Sequence, residues 1–182
     1  MTTSIDVLAY LHSQYNTTGR LQRQKLLYYS QAWHLAWYGG PLFSDPVTAW
    51  DNGPVVDCAW RVDKTWSQNP IQDFNLTHDE RRTIDAIMGF YGHMNGSELR
   101  DLTHDEDPWI KNYVDVSPFV RGNVVIEMSE MRNFYTELAL SGGPTPPRPS
   151  SSPEVVDDFV FQSLLGTELN RWSKTLELLA DR

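Results

Sequence analysis

Leu21-Gln-Arg-Gln-Lys-Leu-Leu-Tyr-Tyr-Ser-Gln-Ala-Trp-His-Leu-Ala-Trp-Tyr38 contains no strand-like alternation and no helix breaker, and after Leu26 apolar residues surround most of its axis. A helix that is apolar on nearly every side belongs inside a core, so this run predicts a central helix starting near Arg20. Gly39-Gly40-Pro41 ends it, because glycine accepts the left-handed cap and proline cannot continue the ladder. Trp33 and Trp37 lie one turn apart on it and read as core packing rather than a stacking platform. His34 reads as a satisfied core histidine in preference to a ligand. Upstream, Ile5, Leu8, Leu11 and Tyr15 recur at helical spacing before the turn formers Asn16 to Gly19, which predicts a first amphipathic helix.

Downstream, Pro46-Val-Thr-Ala-Trp50 has β propensity and Asn52-Gly53-Pro54 is turn chemistry. A short strand is expected there, then a helix beginning at Pro54 or Val55 and carrying Val56, Ala59, Trp60 and Val62. Thr77 with Glu80, and Asn95 with Glu98, are capping-box pairs that open two further helices. Two starts compete in Thr103-His-Asp-Glu-Asp-Pro-Trp109; Asp107 as cap with Pro108 behind it is the favoured one. Val124-Val125-Ile126 reads as a second short strand, able to pair with Val47 to Trp50 but too brief to demand it. A helix from Met128 to Leu140 follows.

Residues 141–153, Ser-Gly-Gly-Pro-Thr-Pro-Pro-Arg-Pro-Ser-Ser-Ser-Pro, cannot build a core and read as a semi-extended linker, rising about 3.1 Å per residue where proline dominates. Beyond it, Phe161, Leu165, Leu169, Trp172, Leu176 and Leu179 recur at steps of three and four, which marks an amphipathic helix over residues 154–182. The fold class is therefore mainly α: a compact multi-helix domain over residues 1–140 with room for a short antiparallel β pair, a linker, and a C-terminal helix. That helix suits docking into a partner groove, packing on its own domain, or self-association as a homo-oligomer.

Several classes of function fall away on composition. With 182 residues the chain holds one ordinary core, and 24 acids against 15 Lys and Arg give a charge of −9, unsuited to neutralising phosphates. No direct nucleic-acid partner is expected. The single Cys58 forms no internal disulfide and no thiolate cage, and reads as a packing residue. With no signal-like start and no stretch of roughly 18 consecutive apolar residues, a cytoplasmic protein without a membrane partner is expected. The acidity is local: residues 71–107 hold nine acids against Arg81, Arg82 and Arg100. Such a field steers a basic protein partner, and a solvated face explains it as well.

No phosphate-cradling loop, serine elbow or paired-cysteine motif occurs, and no cofactor is expected. The most enzyme-like feature is His104-Asp105-Glu106-Asp107, from which a small metal-dependent hydrolase would draw His104, Glu106 and Asp107. Consecutive positions seldom converge on one ion, so carboxylates serving helix N-termini are the favoured reading, with no metal site.

Four segments then form a pattern together: Gln24-Lys-Leu-Leu-Tyr-Tyr-Ser-Gln-Ala-Trp-His34, Gly40-Pro-Leu-Phe43, Ala49-Trp-Asp-Asn-Gly-Pro-Val-Val56, and Leu99 to Trp109. Their order and spacing, over about residues 4 to 140, resemble the Panacea domain of the SocA-like antitoxin family of bacterial and phage genomes. The resemblance implies a non-enzymatic, mainly helical antitoxin that neutralises a toxin encoded beside it by direct protein–protein binding, as in type II toxin–antitoxin pairs. It does not identify the toxin, and in one branch it implies a proteolytic adaptor that delivers the toxin to a protease. The motif positions Tyr28, His34, Trp50, Gly53, Pro54, Thr103, His104, Glu106, Pro108 and Trp109 carry over as scaffold first and partner-binding surface second. The C-terminal helix lies beyond the resemblance.

Overall fold

The structure is a computed structural model that describes residues 2–114 and 124–150. Chain contacts divide the molecule into two units, Met1–Pro149 and Ser150–Arg182. The predicted C-terminal helix, with Phe161, Leu165, Leu169, Trp172, Leu176 and Leu179, lies outside the described residues.

The first unit is mainly helical with a small sheet. Its elements run α1 (Ser4–Gln14), α2 (Arg20–Tyr38), β1 (Val47–Trp50), β2 (Gly53–Val55), α3 (Asp57–Lys64), α4 (His78–Tyr91), α5 (Gly96–His104), α6 (Asp107–Ile110), β3 (Val125–Ile126) and α7 (Met128–Leu140). The all-round apolar run becomes the spine: α2 packs against α1, α3, α4, α5, α7 and β2. Leu26, Leu27, Tyr28, Tyr29, Ala32 and Trp33 are fully buried on it. Gly39 ends it in the left-handed region at φ 76.

A helix buried on every side also meets irregular backbone, whose polar groups need partners. The glutamines of α2 supply them. Gln31 Oε1 accepts from the backbone of Leu42 and Phe43 while its Nε2 donates to Phe43 O. Gln22 Nε2 donates to the carbonyls of Gly92 and Met94, and Gln24 Oε1 accepts from Val56 N. A second polar anchor ties α1, α2 and α3 together: Asp63, with its side chain shielded from solvent, receives Arg23 through both carboxylate oxygens and lies 2.9 Å from His12 Nε2.

Both expected capping boxes are present, Thr77 with Glu80 on α4 and Asn95 with Glu98 on α5, and a third, Thr3 with Asp6, opens α1. Two starts differ from expectation. Gly53-Pro54-Val55 does not begin a helix; it pairs with β1 in the register Trp50↔Gly53, Ala49↔Pro54, Thr48↔Val55. Proline is tolerated there because β2 is an edge strand in the order β2-β1-β3. Helix α3 therefore waits until Asp57. Helix α6 is capped by Glu106 rather than Asp107, without a side-chain bond, since that carboxyl is engaged in the interior. The short β pair forms as Val47↔Ile126 and Thr48↔Val125.

The proline-rich stretch after α7 has no regular structure through Ser150. Part of it nevertheless lies on the first unit: Pro146 is buried, and the Arg148 guanidinium sits 5.2 Å from the Tyr38 ring centroid. Proline's fixed φ lowers the entropy lost on holding such a segment in place. Among the described residues no helix is long and apolar enough to cross a membrane.

Candidate functional site

The motif segments converge on a buried polar seam where α2, the β1–β2 hairpin, α5 and α7 meet. Lys25, 0% exposed, projects from α2 and donates from Nζ to Pro54 O at 2.8 Å. Gly53 carries φ 84, and a Cβ there would lie 2.6 Å from Thr103 Oγ1 and 2.7 Å from Lys25 Nζ. Only a glycine supplies both that backbone conformation and that clearance. Thr103 is buried at the end of α5, with its hydroxyl donating to Arg100 O at 2.8 Å.

Glu106 closes the seam from below α5. Its two carboxylate oxygens receive Tyr29 Oη at 3.2 Å and Tyr135 Oη at 2.6 Å. Burial pushes the Glu106 acid up to about 7, against the pull of those two phenols, and drives the Lys25 ammonium down to about 7, with Arg100 acting in the same direction. The phenols of Tyr28, Tyr29 and Tyr135 are raised well above their ordinary value by burial and by the Glu106 charge. Around the seam Tyr29 stacks on Tyr91 at 4.1 Å, while Tyr28 and Tyr135 meet edge-on at 6.0 Å.

The remaining motif residues form an outer layer. Trp109 Nε1 donates to Trp50 O at 2.9 Å, which fastens α6 to the hairpin, and the Trp109 ring lies between His104 at 3.8 Å and Tyr113 at 4.5 Å. His104 Nε2 is buried without a hydrogen-bond partner, and burial holds its pKa below the usual histidine value. Pro108 is buried in the first turn of α6. His34 is not part of the cluster: it is half-buried on another face, with Nδ1 3.3 Å from Thr83 Oγ1.

The arrangement holds elements together; it does not assemble a reaction centre from His104, Glu106 and Asp107. Glu106 points into the interior, Asp107 faces solvent with Lys111, and His104 lies flat on Trp109. No group of three His, Cys, Asp or Glu suited to a metal ion occurs among the described residues. Lys25 and Glu106 lie inside the seam, at 0% and 6% exposure.

The sequence motifs point to Gly53, Pro54, Thr103 and Glu106 but not to the roles of Lys25, Tyr29 and Tyr135. A lysine three and four residues ahead of Tyr28 and Tyr29, in a helix apolar all round, was the available signal for the first. Tyr135 stands 29 residues from Glu106 and has no local signal.

This geometry gives the family comparison a physical content. Residues 24–110 match the family model described as Antitoxin SocA-like, Panacea domain. No curated protein and no solved structure gives a significant match to the chain. The Panacea match starts one residue before Lys25 and ends at the last residue of α6, a narrower span than residues 4 to 140. All of the seam except Tyr135 falls inside it. The likeness is thus to a family whose description is antitoxin-like.

Proposed function

We propose that this protein is a non-enzymatic antitoxin of a type II-like pair, which neutralises a toxin encoded beside it by direct protein–protein binding in the cytoplasm. The observation that carries this reading is the Panacea match over residues 24–110, whose chemically suggestive residues are spent on holding elements together. On this reading Lys25, Gly53, Thr103 and Glu106 set the relative placement of α2, the hairpin and α5–α6, and so shape a binding surface. Trp50, Pro108 and Trp109 build its outer layer.

Co-expression with the product of the adjacent gene tests the reading. That product should arrest growth by itself, growth should return when this chain is supplied, and the two proteins should copurify. A neighbour that is harmless alone, or that stays fully toxic beside this chain, would remove the antitoxin assignment.

A further inference from the structure

The turn of helix that carries Trp109 presents its other side to solvent. Asp107, Ile110 and Lys111 stand at i, i+3 and i+4 and share one face of this turn, and Val114 follows it in the chain. The turn persists beyond α6, with Lys111 N donating to Asp107 O and Tyr113 N to Trp109 O. Ile110 and Val114 are each 50% exposed. Beside this strip α6 and α7 enclose a cleft of about 250 Å³, to which Pro108 and Phe134 contribute apolar lining and Asp107, Glu130 and Glu137 carboxylates.

Among the described residues the charges in the cleft do not balance. Lys111 Nζ lies 2.8 Å from Asp107 Oδ2 and answers one carboxylate of three. Glu130 is held by the Asn112 amide at 2.7 Å, a neutral donor that leaves its charge in place. The chain's own ammonium thus shows which chemistry the cleft attracts, and among the described residues no second cation pairs with Glu130 or Glu137.

We propose that this face docks a basic segment of the protein partner, with one lysine or arginine entering the cleft between α6 and α7 while its apolar neighbours cover Ile110 and Val114. The proposal rests on the antitoxin reading and names the kind of toxin surface that reading requires. Charge complementarity selects the occupant. A long basic side chain lays its methylenes along Pro108 and Phe134 and its head among the carboxylates, whereas an acidic segment, or a second copy of this chain at −9, is repelled. The exposed apolar strip supplies the dry contact that a charged rim alone lacks.

The test uses the full chain and the purified product of the adjacent gene, with growth rescue and a binding titration at low and high salt. Glu137→Lys and Ile110→Asp should each weaken binding by about tenfold or more, and Glu137→Lys should flatten the salt dependence. Lys111→Gln, which removes the competing internal cation, should tighten binding by roughly threefold. All three should melt as the wild type does; should Ile110→Asp fail to fold, Glu137→Lys, exposed on α7, carries the test. If the wild-type chain neither rescues nor binds, the antitoxin reading falls and this proposal with it. If the wild type rescues and binds while the folded Glu137→Lys and Ile110→Asp variants bind equally well, the antitoxin reading stands and the docking face is wrong. A weaker Lys111→Gln complex, or a dimer of this chain that Glu137→Lys abolishes, would also overturn the docking face.

Discussion

Glu106 and Asp107 are chain neighbours of the same formal charge, and the fold sends them to opposite environments. The first is 6% exposed and takes two buried phenolic hydrogen bonds; the second has a side chain 56% exposed and lies beside the still more open Lys111. Desolvation dominates the buried member, while water and salt screen the exposed one. A run of carboxylates in a sequence is therefore two things here. One part is internal structure, and the other is a surface field available to a partner.

The largest expected effect breaks the inner region at its tightest point. Gly53→Ala places a Cβ within 3 Å of Thr103 and Lys25 at a left-handed φ, and should cost about 2–4 kcal/mol in urea unfolding. A wild-type midpoint would mean that the seam is looser than its distances. Next comes Glu106→Ala, which strands the hydroxyls of Tyr29 and Tyr135 without their acceptor and should cost about 2–3 kcal/mol by the same measurement.

A pH series sharpens the contrast more gently. Because the folded Glu106 acid is raised from 4.5 to about 7, the native state retains a proton that the unfolded chain has released, and this group's contribution to stability falls as pH rises across that window. Lys25 is lowered from 10.5 to about 7, so its contribution falls as pH drops from 10.5 toward 7. In Glu106→Gln the fall that this acid contributes between pH 4.5 and 7 should be lost while the Lys25 slope remains, as read from the difference between variant and wild-type melting temperatures against pH. An unchanged profile would place the titration elsewhere. At the small end, Asp107→Asn should leave the melting temperature unmoved, as expected for an exposed pair, even where partner binding changes.

Legibility along the chain follows the range of the interaction. The capping boxes at Thr77 and Asn95, the Gly39 stop and the core role of Trp33 could be read directly, because each depends on residues within a few positions. The start of α3 was misplaced because Asn52-Gly53-Pro54 is turn chemistry in either setting. Whether Pro54 opens a helix or ends a hairpin depends on β1 lying alongside. The interior role of Lys25 is decided by the hairpin, which brings Pro54 O to meet its ammonium.

By itself, then, the sequence determined a helical domain built on a spine apolar on nearly every side, an acidic charge concentrated over residues 71–107, and a motif pattern that resembles the Panacea domain. Apolar periodicity, caps and charge are local or additive properties of a chain, which is why they survive without coordinates. Tertiary structure alone decided which polar residues became interior. The fate of a carboxylate or an ammonium depends on the partners that remote segments bring to it, and Tyr135, 29 residues from Glu106, is the partner that made one acid of an adjacent pair part of the core and left the other to the surface.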